Sequence, residues 1–246
     1  MSDAASLATP GAPPLSEPQR VIDTFTAPSK TFTDILRNSS FWGPLVVMIL
    51  VSILFSFGVQ QKVGWQKTFE NTMRQSQKNE DKLAQMPDSA KAGAAKFTAI
   101  VSYCYTIPVL IITAIVTLLY WVTVNFGFGG TAKFGQVFAV SMYANLVMNI
   151  KYLLATIALF AGLAPDSFLQ QNPVGTNIGY YLPPDGPKAL LALCAHIDIF
   201  EIWALILSVI GVSIVAKVSR GKAAAAVVGW WLILVLVGVG FAAANS

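Results

Sequence analysis

Three charged side chains interrupt stretches that are otherwise almost free of charge: Lys151, and the pair Asp198 and Glu201. A charge near the centre of a lipid-embedded helix costs about 2.5–3.5 kcal/mol on insertion scales, so each of these groups needs a partner or a path to water. Asp198 and Glu201 are i, i+3 neighbours and share a helix face. They stand at the start of an apolar run, where the helix dipole favours negative charge. Lys151 lies about 25 Å along a regular helix from Phe134, toward the membrane side that carries Asp198. A contact between Lys151 and Asp198 or Glu201 is therefore geometrically allowed. With Asn145 and Asn149 these residues form a candidate intramembrane polar cluster. Its chemistry would be an ion or proton relay or a polar substrate site. The simpler reading is an ion pair that locks helices, or side chains that snorkel to the interface.

Other chemistries find no constellation. His196 and Asp198 are two apart, about 200° around a helix, and His196 is the sole histidine, so no metal site is expected. Ser141, Ser208 and Ser213 lie in apolar helices, where a hydroxyl bonds the preceding turn, and no Gly-x-Ser-x-Gly occurs. Cys104 and Cys194 are far apart in sequence and lack a redox or metal spacing. Gly127-Phe128-Gly129-Gly130 reads as a tight turn without the strand and Gly-Lys-Ser/Thr of a phosphate loop. The expectation is a protein that is not an enzyme and has no cofactor. No basic block interleaves with aromatics, so nucleic acid is not expected as a partner.

The elements that would hold these groups are set by composition. The 246 residues are 55% hydrophobic and only 11% charged, against about 25% charged in a soluble domain. About 20 apolar residues in a helix cross a hydrocarbon core of ~30 Å, and lipid forces backbone amides to be satisfied within the segment. Five such segments predict an all-α polytopic bundle, with spans at about 41–60, 97–126, 134–163, 197–216 and 223–243. Pro108 is expected to bend the second span. The third, at ~45 Å if regular, needs tilt or a break near Asn145, Asn149 and Lys151. The polar connection 61–96 reads as a partly helical, solvated loop, and the Pro/Gly-rich stretch 164–188 as turns. Residues 189–196 read as helical. Gly211, Gly229, Gly238 and Gly240 mark packing seams, within the chain or in a homo-oligomer. The tight basic connection Lys217–Lys222 favours a cytoplasmic N-terminus and an outside C-terminus.

Residues 1–20, rich in Ala, Pro and Ser, read as a disordered tail. Ser29, after Pro28, is a candidate cap for a short amphipathic helix that would lie in the membrane interface with Phe25, Phe32, Ile35 and Leu36 as its apolar face. That face would contact lipid or a partner.

In order, these pieces resemble a family. The segment with Pro28 and Phe32 precedes Phe41-Trp42-Gly43-Pro44-Leu45 at the first span. Gly129-Gly130 precedes Phe134-Gly135 and Tyr143-Ala144. The Pro/Gly-rich loop leads into Asp198-Ile199-Phe200-Glu201-Ile202-Trp203 and then Gly211. The chain from Val21 to Ala243 is similar to the Yip domain family, the Ypt/Rab-GTPase-interacting membrane proteins. Its motif positions here are Trp42, Gly43, Pro44, Asp198, Phe200 and Trp203. The resemblance implies a five-span membrane domain over 21–246 with a cytoplasmic N-terminus. In eukaryotic relatives it implies trafficking between endoplasmic reticulum and Golgi with Rab-type GTPases as partners. The short N-terminal region, Asn145-Leu146-Val147 after Tyr143-Ala144, and Ser40-Phe41-Trp42 before Gly43-Pro44 point to a prokaryotic-type member in the cell (inner) membrane. Golgi or endoplasmic reticulum is the alternative location. The implied function is a binding or organising protein of the bilayer, in trafficking or membrane shaping. A small permease or channel using Lys151, Asp198 and Glu201 is the alternative.

Overall fold

A computed structural model describes residues 13–75, 77–183 and 186–244. Twelve α-helices occur among them: α1 (Glu17–Thr26), α2 (Pro28–Ile35), α3 (Trp42–Lys62), α4 (Trp65–Met73), α5 (Gln77–Gln85), α6 (Asp88–Tyr103), α7 (Thr106–Val122), α8 (Phe134–Ala144), α9 (Leu146–Phe160), α10 (Lys188–Ala195), α11 (Ile199–Ala216) and α12 (Arg220–Ala244). Five segments are long and apolar enough to cross a bilayer: Trp42–Lys62, Thr106–Gly127, Phe134–Phe160, Ile199–Ala216 and Arg220–Ala244.

Two spans differ from expectation in an informative way. The second does not begin at 97. Helix α6 ends at Tyr103 with Cys104 as its cap, and α7 restarts at Thr106, so Pro108 sits in a first turn, where its missing N–H leaves no bond unmade. The expected mid-span bend is a helix boundary instead. This span closes with a π-helical turn, Thr123–Gly127. The third span is interrupted at Asn145 and not at Asn149 or Lys151. The Asn145 amide bonds back to Ser141, and its carbonyl accepts from Met148 as α9 begins. An asparagine side chain competes with the helical ladder for such bonds, which suits it to this junction.

The described chain forms two compact units. One comprises the residues up to Met48, Val109–Met148 and Phe200–Val235. The other comprises Ile49–Pro108, Asn149–Ile199 and the residues from Leu236 on.

In the first unit the N-terminal segment is a hairpin of two helices. Ser16 caps α1 by accepting from the Gln19 amide at 3.3 Å. Helix α1 therefore starts four residues inside the stretch assigned to the tail; residues 1–12 of that assignment lie outside the described residues. Ala27 separates α1 from α2, and Pro28 opens α2, so Ser29 lies inside the first turn and is not the cap. Proline cannot continue α1 but suits the start of α2. The expected lipid-facing surface is corrected here. Phe32 and Ile35 are fully buried, Phe25 packs edge-on against Trp203 at 5.9 Å, and only Leu36 is exposed. Gly211 on α11 explains Phe32: a Cβ there would collide with Val140 and come within 3.1 Å of the Phe32 ring. The ring occupies the space the glycine leaves open.

In the second unit Phe55, Val59, Ala155, Leu159 and Phe168 form an apolar cluster. The connection expected as a partly helical loop holds α4 and α5 and the start of α6. Its Asn71 is buried and donates to the carbonyls of Pro165 (2.8 Å) and Phe168 (3.0 Å). The Gln170 amide reaches the Ser102 hydroxyl at 2.6 Å. These side-chain bonds fix a Pro/Gly-rich segment that includes two short 3₁₀ turns, Pro165–Ser167 and Ile178–Tyr181.

Candidate functional site

Each unit contains a buried charge cluster. In the second unit the backbone around Asn177 pairs antiparallel with that around Asp198. The Ile178 amide donates to Ile197 (3.4 Å) and the Ile199 amide to Thr176 (3.2 Å). This short bridge holds Asp198 immediately before α11, at the positive end of the helix dipole. One carboxylate oxygen of Asp198 accepts from Lys151 Nζ at 2.7 Å and from Thr176 Oγ1 at 2.6 Å. Asp198 is 1% exposed and the Lys151 side chain 11%. Beside them Asn172 and Asn177 exchange amide bonds at 2.6 and 3.3 Å, and the hydroxyls of Tyr105 and Tyr152 meet at 3.0 Å.

The five-residue polar cluster read from the sequence is thus brought together only in part. Lys151 and Asp198 meet, and Thr176, unmarked in the turn-rich segment, joins them. Asn149 is buried in the same unit. Asn145 and Glu201 belong to the other unit, where Asn145 breaks the third span and Glu201 accepts from Trp231 Nε1 at 2.6 Å. Two opposite charges spent on each other leave little capacity for a transported ion, which disfavours the permease alternative.

The first unit holds a larger network that sequence reading missed. The Arg20 guanidinium is 1% exposed and places Nε (2.8 Å) and Nη2 (2.7 Å) on one Asp34 oxygen. Its Nη1 lies 3.7 Å from Glu17. Glu17 Oε2 accepts from the Tyr143 hydroxyl at 2.7 Å and from the Gly43 amide at 2.9 Å. Burial opposes ionisation of Glu17, but hydrogen bonds from Ser40, Tyr143 and Gly43 and the Arg20 charge outweigh it, so its pKa falls below the ordinary value. For Arg20, burial is likewise outweighed by Asp34 and Tyr143, and its pKa rises. Asp23 ties the hairpin further, accepting from Gln19 and pairing with Lys30 at 2.8 Å each.

The Trp42-Gly43-Pro44 motif now has a physical reason. The first turn of a helix has N–H groups without intrahelical partners. Here Gly43 gives its N–H to Glu17, and Pro44 has none to give. A Cβ at position 43 would lie 2.8 Å from Glu17 Oε2, so only glycine admits the carboxylate. One sequence signal could have exposed this cluster: Ser16-x-x-Gln19 is a helix-start pattern.

On α1 Arg20, Asp23 and Thr24 face inward; Gln19 and Thr26 are exposed, and so are the apolar Pro18 and Ile22. With Trp42 (63% exposed) and Val46 (50%) the latter two border a cleft of about 440 Å³, further lined by Val21 and Val47.

Five apolar spans with buried charge pairs and an outward apolar surface define a polytopic helical membrane protein. The Yip1 domain matches residues 22–242, nearly the whole chain, and the protein belongs to that family. Membrane protein YknW of Bacillus subtilis (strain 168) is similar at 25% identity over 226 residues, covering 91% of this chain and 87% of the relative. No solved structure matches.

Proposed function

We propose that this protein is a non-catalytic binding and organising element of its membrane, working through the outward face of the N-terminal hairpin. The observation that carries the reading is that α1 buries Arg20 and Asp23 while Ile22 is exposed. Burying Arg20 and Asp23 of α1 with Asp34 of α2 while exposing Ile22 is costly in water. Beside lipid or an apolar partner the same arrangement is favourable. The working face is Pro18, Val21 and Ile22 with Trp42 and Val46, and it replaces the Phe32 and Ile35 face expected from periodicity. Membership of the family and similarity to a Bacillus membrane protein support a prokaryotic cell membrane as its location. A Rab-type partner is not part of this reading.

The test is crosslinking in native membranes, with mass spectrometry of captured proteins, alongside the diameter of liposomes holding the purified full chain. Ile22→Asp, which sits on the surface and spares the buried network, is expected to lose the wild-type crosslinks or restore the diameter of protein-free vesicles. Unchanged capture together with unchanged diameter would overturn the proposal.

A further inference from the structure

Two loops of the first unit meet at their backbones. The Thr131 amide donates to the Ala216 carbonyl at 3.1 Å, and Lys222 Nζ to the Phe128 carbonyl at 3.1 Å. The junction gathers Lys133, Lys217, Arg220 and Lys222, all exposed. Among the described residues of this unit, no ion pair joins an acid to any of them. The sequence has no Asp or Glu between 89 and 165 or after 201. The described acids of this unit are Glu17, Asp23, Asp34 and Glu201, and each is engaged elsewhere: with Tyr143 and Gly43, with Lys30, with Arg20, and with Trp231.

Two further observations place a ligand there. First, aromatic rings border the junction. Trp121 donates to the Ala132 carbonyl at 2.9 Å, and its ring lies edge-on to Phe126 (5.8 Å) and Phe134 (6.4 Å). Phe126 is 77% exposed. Tryptophan settles at the headgroup level of a bilayer, so Trp121 puts the cations beside lipid phosphates. Second, Lys217 has φ of 55°, the only positive φ of a non-glycine among the described residues. It ends α11 at a position where glycine is the unstrained choice. A lysine held there against backbone preference points to a use for its charge.

We infer that Lys133, Lys217, Arg220 and Lys222 form a site for the phosphate of an anionic phospholipid headgroup, with the Trp121 ring as its depth anchor. Lys222 closes the site with one N–H on Phe128 and keeps two for the lipid. The Ser219 hydroxyl caps α12 by accepting from the Lys222 amide at 3.3 Å, which holds that residue in place.

The experiment is native mass spectrometry of the purified full chain in detergent. The probes are phosphatidylglycerol and phosphatidylcholine of matched acyl chains. Wild type is expected to retain phosphatidylglycerol preferentially. Lys133→Gln, Lys217→Gln, Arg220→Gln and Lys222→Gln combined should lose at least about fivefold of that preference, since each near-surface cation contributes on the order of one such factor. Lys62→Gln, Lys67→Gln, Lys82→Gln and Lys91→Gln, an equal charge change in the other unit, should keep it. Lys217→Gly separates charge from fold: it should raise the melting temperature by relieving the backbone while lowering phosphatidylglycerol retention. The inference is overturned if Lys217→Gly leaves retention unchanged, if the control loses as much as the site variant, or if millimolar inorganic phosphate displaces the lipid.

Discussion

The two buried charge clusters solve one problem in different ways. Lys151 and Asp198 are an ion pair in which the Thr176 hydroxyl donates to the same carboxylate oxygen, set between a span and the lead-in to the next. Around Arg20 two carboxylates, a tyrosine and a backbone amide converge, and they join a terminal hairpin to two spans. The first offsets a charge that a span carries with one just before the next span. The second uses charge to seat a segment that would otherwise be peripheral, and with Arg20 and Asp23 of α1 drawn inward it leaves Pro18 and Ile22 exposed. The difference teaches that buried charge here locks helices in one unit and exposes a surface in the other.

The largest effect is expected from Lys151→Ala, which strands Asp198 and should destabilise the whole domain by about 3–5 kcal/mol. The loss is read as a lower melting temperature in detergent, and Lys151→Met with Asp198→Leu should recover much of it. A variant as stable as wild type would remove the locking role.

Glu17→Gln should cost less, about 1.5–3 kcal/mol for hydrogen bonds to a charged group. The loss should be local: faster amide exchange across 17–37, with the spans unchanged. Because folding depresses the Glu17 pKa, its contribution is present above its ordinary value of 4.5 and is lost as pH falls through the lower folded value. Exchange protection of the hairpin should therefore decline below about pH 4.5, and Glu17→Gln should flatten that dependence. Global rather than local loosening would erase the contrast between the clusters.

Gly43→Ala crowds the same carboxylate and is expected to cost about 1–3 kcal/mol, again confined to the hairpin. Thr176→Val removes one bond from Asp198 and should shift the melting temperature least, for about 1 kcal/mol. A larger effect than Lys151→Ala would reverse the assigned order.

The same contrast explains what was legible in the sequence. Apolar length exposed the five spans and the break near Asn145, because lipid enforces both. Lys151 and Asp198 stood out because a charge in an apolar run is anomalous. Arg20 and Glu17 did not, because a charge in a polar, proline-rich stretch is ordinary; their burial depends on Tyr143, more than 120 residues away. Phe32 and Ile35 were placed on the surface by helical periodicity, which finds an apolar face but not what covers it. Gly211, on a distant span, decides that. Thr176 was hidden in a segment with no repeating pattern, fixed by side chains from elsewhere in the chain.

The central claim is that the buried Arg20 network turns α1 so that Ile22 faces lipid. Collision accessibility of a nitroxide tests it most directly, using Ile22→Cys in a Cys104→Ser, Cys194→Ser background in proteoliposomes. The account predicts strong relaxation by oxygen and little by a water-soluble nickel chelate. Ready access of the chelate, with oxygen excluded, would contradict it.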